Sequence, residues 1–142
     1  MQYLMQKLPI EIVNYIIPYT YNVQQKTLLN DIENFTEVKT FLSNLYHKYW
    51  IIERLSLDQE DKNWLINDLF RCANNYNPTK YYVDSFYNIF KRNIYLQTNE
   101  EVDKYVNELE TKDVTTQINV LLGLLTEQER STFRSTFQQQ SI

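Results

Sequence analysis

The chain carries one histidine, His47, and one cysteine, Cys72. These are the residue types that most often serve as general bases, nucleophiles and soft metal ligands. A Cys–His couple is arithmetically available, but no nucleophile-elbow spacing surrounds either residue. One of each is too few for a Cys/His zinc set or a two-histidine metal motif. Gly123 is the sole glycine, so neither a phosphate-cradling loop nor a dinucleotide-binding turn can be written. Carboxylates are better supplied: Asp58, Glu60 and Asp61 form one cluster, and Glu100, Glu101 and Asp103 a second. Acid–base chemistry would need two of them facing one pocket, one with a raised pKa. Both clusters sit at expected helix starts, where capping and the helix dipole already account for them. His47, between Tyr46 and Lys48, reads as a surface or boundary residue, and Cys72, beside Leu69 and Ala73, as a small buried hydrophobe. No catalytic, cofactor-binding or metal-binding residue is assigned from the sequence. A non-catalytic chain is expected, with a carboxylate-dependent enzyme as the weakest alternative.

Twelve tyrosines and seven phenylalanines make the chain unusually aromatic. Tyr81-Tyr82 and Tyr46, Tyr49 and Trp50 have the composition of a stacking platform for single strands. Lysine and arginine are not interleaved with them, the net charge is −4, and Lys91-Arg92 is the only adjacent basic pair. A nucleic-acid partner is therefore not expected. The aromatics read instead as core filling in a chain with a single alanine and a single glycine.

The elements that must position these residues are helices. One glycine and three prolines are too few for the turns of an all-β fold, while 43% hydrophobic residues suffice for a core. Apolar spacing predicts an all-α fold, a single compact bundle of seven or eight helices joined by short loops over residues 1–142. The first runs from Pro9 to Ile17. A second carries Leu28, Leu29, Ile32 and Phe35. A third carries Val38, Phe41, Leu42, Leu45, Tyr46, Tyr49 and Ile52 on one face; a single helix bent near Phe35-Thr36 is the alternative. Asp58 is the expected N-cap of the fourth. Asn77 with Pro78 opens the fifth, which buries Tyr82, Val83, Phe86, Tyr87 and Phe90. Thr98-Asn99-Glu100-Glu101 and Thr126-Glu127-Gln128-Glu129 are capping boxes opening the sixth and the last helix. Between them lies a helix with Val114, Ile118, Leu121, Leu122 and Leu125 inward. The one candidate module boundary falls near Glu53 to Leu57.

No apolar run approaches a membrane span, and Met1-Gln2-Tyr3-Leu4 lacks the basic start of a secretory signal. The lone cysteine fits a reducing compartment. An intracellular location, host cytoplasm or virion, is expected, with no membrane partner.

The segment Leu8-Pro9-Ile10-Glu11-Ile12-Val13-Asn14-Tyr15-Ile16-Ile17-Pro18-Tyr19 is the most distinctive of the chain. Pro9 suits a first helical position, Glu11 the first turn, and Pro18 a helix end. A helix this short and apolar must be covered by its own domain or by a partner. Leu8-Pro9-x-Glu11-Ile12-Val13-x-x-Ile16-Ile17 resembles the opening helix of the F-box, and Leu28-Leu29-x-x-Ile32-x-x-Phe35 a variant of its second helix. The resemblance covers about a third of the chain, as a three-helix module over 8–52, with 53–142 as a C-terminal helical part. The stretch Tyr19 to Phe35 is also similar to short proteins of large DNA viruses of amoebae and algae. The resemblance implies docking to a Skp-type adaptor through Leu8, Pro9, Ile12, Ile16 and Ile17. The alternative is a structural protein of a virus particle, held by capsid proteins.

Overall fold

The computed structural model describes residues 26–138 and is helical, with no strand among them. The elements are α1 (Lys26–Tyr46), a π-helical segment (His47–Glu53), α2 (Glu60–Ala73), α3 (Asp84–Phe90), α4 (Asn99–Leu109), α5 (Val114–Leu124) and α6 (Glu127–Gln138). The all-α class is as expected; six α-helices stand among the described residues, against seven or eight expected over the whole chain. The expected helix at Pro9–Ile17, with all five adaptor-docking residues, lies outside the described residues. The expected second and third helices are one, because no glycine or proline interrupts the run from Lys26 to Tyr46.

The chain divides into two units, residues 1–34 and 35–142. In the first, Leu28, Leu29 and Ile32 stand exposed. In the second, α1 buries Val38, Leu42 and Tyr46. Helix α2 is the central element: it packs against α5, the π segment and α3. Its Leu65, Leu69 and Ala73 are nearly solvent-free, as are Phe86 and Phe90 of α3, Val102 and Val106 of α4, and Leu121 and Leu122 of α5. The aromatics fill this core. Tyr82 stacks on Phe86 at 3.9 Å, and Phe86 packs at 4.7 Å on Phe90.

Three helix starts behave as their sequences dictate. Thr98 Oγ1 accepts from the Glu101 N–H at 3.2 Å, and Asp113 caps α5 through the Thr116 N–H. Before α6 the box is reciprocal: the Glu129 N–H donates to Thr126 Oγ1 at 3.2 Å, and the Thr126 N–H to Glu129 Oε1 at 2.8 Å. Arg92 adds a fork to the same carboxylate at 2.6 and 3.2 Å and reaches the Leu124 carbonyl at 2.8 Å. This guanidinium is the main reason the Glu129 carboxyl is held below its ordinary range.

Two helix starts differ from expectation. Asp58 does not cap α2; Gln59 occupies the N-cap with a left-handed φ of 70° and no side-chain bond. Helix α3 begins at Asp84 rather than Asn77, because Asn74 captures the intervening chain. Its fully buried Nδ2 donates to the carbonyls of Tyr81 (2.9 Å), Pro78 (3.2 Å) and Asn77 (3.4 Å), and its Oδ1 accepts the Val83 N–H at 2.8 Å. These bonds hold residues 77–83 as a loop, and Pro78 serves there rather than at a first helical position.

Candidate functional site

The π-helical segment is the local anomaly around which the second unit's surface is built. Such i→i+5 turns are rare, short and frequent at functional sites. Here the Arg54 N–H closes such a turn on the Tyr49 carbonyl at 3.1 Å, and beyond it the Ser56 N–H reaches the Trp50 carbonyl, one residue further back, at 2.9 Å. The wider pitch carries the inward face from Tyr46 to Trp50 and Ile51, which are half-buried. Tyr49 and Ile52, expected inward at α-helical spacing, turn outward for the same reason. The segment meets α2 along two rungs at matched spacing. Trp50 stacks on Trp64 with ring centroids 4.8 Å apart and planes parallel, and His47 Nδ1 lies 3.6 Å from Asp61 Oδ2.

Outside these rungs lies a ledge of apolar side chains. Ile52 is 60% exposed, Leu55 82% and Leu57 80%, with Tyr49 and Trp64 beside them also exposed. Arg54 folds over Tyr49, its guanidinium 5.0 Å from the ring and its Nη2 donating to the hydroxyl at 2.7 Å. Leu55 takes a left-handed φ of 53°, a conformation that a bulky residue enters only under constraint. The turn is held by backbone bonds alone, from Ser56 to Trp50 and from Glu60 to Leu57. A second exposed pair, Ile94 and Tyr95, stands between α3 and α4 without this strain.

On the other side of the His47–Asp61 rung is a cavity of about 320 Å³ between α1, the π segment, α2 and α5. Lys39, Ser43, Asn44, His47, Asp61, Lys62 and Thr115 supply its polar lining and Tyr46, Leu65 and Ile118 its apolar wall. Asp61 is the single carboxylate among these lining residues.

The carboxylate clusters do not converge. Asp61 is buried and faces His47, while Asp58 is exposed. Glu101 accepts from the Thr98 hydroxyl at 3.1 Å, and Asp103 accepts from the Tyr87 hydroxyl at 2.8 Å; desolvation first, then this bond, pushes that phenol up to about 12. Cys72 is half-buried and hydrogen-bonded to Tyr76; burial raises its thiol pKa, and burial with this bond pushes the Tyr76 phenol up to about 12. Tyr46 donates to Asp68 at 2.6 Å, and burial first, then that carboxylate, raises its phenol. Among the described residues no group of three His, Cys, Asp or Glu is arranged to hold a metal ion, and no helix is long and apolar enough to cross a membrane. Sequence reasoning missed the ledge. Its one signal was a run of large apolar residues, Ile51, Ile52, Leu55 and Leu57, broken by charges at no helical or strand period. No protein-family model, curated protein or solved structure matches the chain.

Proposed function

We propose that the chain is a non-catalytic protein-interaction domain and that its second unit docks an apolar segment of a protein partner on the ledge formed by Tyr49, Ile52, Leu55, Leu57 and Trp64. One observation carries this reading. Two leucines stand four-fifths exposed on a turn whose backbone is strained to hold one of them outward. Large apolar side chains gathered beside an exposed indole are what partner burial rewards. Strain of this kind persists where function requires it. The F-box resemblance suggests a Skp-type adaptor as one partner, through Leu8, Pro9, Ile12, Ile16 and Ile17; a contact on the ledge does not depend on that identity.

The test is photo-crosslinking from a benzophenone amino acid in place of Glu53, an exposed position of the π segment. The full chain is irradiated in extract of the cells that make it. A discrete adduct, lost in Leu57→Asp while the circular dichroism spectrum is unchanged, is the expected result. Equal adduct with Leu57→Asp, or none at all, rejects the ledge as a docking surface. A parallel titration of the purified chain with a purified Skp-type adaptor decides the adaptor identity.

A further inference from the structure

The cavity between α1, the π segment, α2 and α5 sorts its charges by depth. Asp61 lines it with a side chain only 9% exposed, whereas the side chain of its ion-pair partner His47 is 55% exposed. The 3.6 Å separation of this pair is longer than a hydrogen bond. A carboxylate this buried gains from a close charged donor, since burying a charge is costly without one. The other lining charges are the lysines Lys39, half-buried, and Lys62, exposed. The apolar part of the lining is Tyr46, Leu65 and Ile118, each buried. The volume, about 320 Å³, is at the lower end of small-molecule pockets.

We propose that this cavity binds a small zwitterion of the amino-acid type. Its ammonium group takes the place beside Asp61 that His47 now occupies at 3.6 Å. Its carboxylate meets Lys39 and Lys62, and an aliphatic side chain lies on Leu65 and Ile118. An anion alone would bring its charge toward Asp61, and a cation alone would leave the lysines of the lining without a counter-charge. Only a molecule carrying both signs satisfies both ends. The charged and titratable groups facing the site are Lys39 and Tyr46 from α1, His47 from the π segment, and Asp61 and Lys62 from α2; Thr115 and Ile118 of α5 bring none. The inference is independent of the ledge, which lies on other side chains.

Three probes separate the alternatives in NMR titrations of the full chain: L-leucine, L-leucinamide and 4-methylpentanoate. The last lacks the ammonium group and leucinamide lacks the carboxylate. L-leucine is expected to bind saturably, with amide shifts centred on Asp61 and Thr115. 4-Methylpentanoate is expected not to bind, and leucinamide to bind about tenfold more weakly. Asp61→Asn lowers L-leucine affinity about tenfold or more, and Lys62→Gln lowers it about threefold while leaving leucinamide unaffected. The proposal is overturned if 4-methylpentanoate binds as tightly as L-leucine, which marks an anion site. It is also overturned if leucinamide binds equally, which marks a site for a peptide amino terminus. Failure of L-leucine to saturate any amide shift, with the chain folded by circular dichroism, overturns it outright.

Discussion

Two turns in the second unit use the same backbone device with opposite consequences. Helix α2 ends in a Schellman motif: the Tyr76 N–H returns to the Arg71 carbonyl at 2.7 Å and the Asn75 N–H to the Cys72 carbonyl at 3.1 Å. Two consecutive residues in this turn are left-handed: Asn75, with φ 54°, one of the few side chains that tolerate it, and Tyr76, with φ 60°, a bulky side chain that resists it. The π segment ends on an equivalent turn stretched by one residue, with the Ser56 N–H on the Trp50 carbonyl, and its left-handed residue is Leu55. Behind the first turn, buried Asn74 binds the following loop through three carbonyls and one N–H. Behind the second, no such side chain acts; Arg54 leans on Tyr49 at the surface. The first turn is stabilised from within. The second holds a left-handed leucine in solvent with no internal tie of this kind, and that missing tie, rather than the left-handed backbone it shares with Tyr76, sets the two turns apart.

The sharpest way to break the comparison is to remove the internal tie. Asn74→Ala deletes four hydrogen bonds at a fully buried site and is expected to lower unfolding free energy by about 3 kcal/mol, measured in urea. A loss below about 1 kcal/mol would mean that residues 77–83 hold their own shape. The α6 start is a second internally tied element. Glu129→Ala removes half of a capping box and the Arg92 fork, with an expected loss of about 1 kcal/mol, kept small because both side chains are over one-third exposed. Its sign with pH is fixed. The folded-state pKa of Glu129 is depressed, chiefly by Arg92, so its contribution is full above the ordinary glutamate range and fades as pH falls through the folded value. Acid titration of stability should therefore flatten in Arg92→Gln. At the outward turn the signs reverse. Gln59→Gly relieves a left-handed residue that makes no side-chain cap bond, and should stabilise by about 1 kcal/mol in thermal melts. Leu57→Asp should change stability by less than about 0.5 kcal/mol, since that side chain is four-fifths exposed, while abolishing the crosslink from position 53.

The helices themselves were legible because their signals are local. Thr98, Asp113 and Thr126 cap from one turn away, and the inward spacing of α4 and α5 follows the helical period. Less legible was anything set by a partner distant in sequence. Pro78 looks like a first helical residue until Asn74 claims the carbonyls around it. Asp58 looks like an N-cap until the chain turns left-handed at Gln59. The switch from α to π pitch after Tyr46 has no residue signature, and it alone decides that Tyr49 and Ile52 face outward. Likewise, Asp61 reads as one of three acids at a helix start, and only folding buries it opposite His47. The opening helix of the F-box resemblance lies outside the described residues, so its reading stays on sequence, while Leu28 to Phe35 belong to α1.

The most direct measurement combines stability and docking in a single substitution, Leu55→Asn. Asparagine suits the left-handed conformation that leucine resists, so the melting temperature should rise, while the photo-crosslinked adduct from position 53 should disappear. A chain that keeps its adduct with asparagine at position 55, or melts at lower temperature, would contradict the claim that this turn is strained in order to present a leucine to a partner.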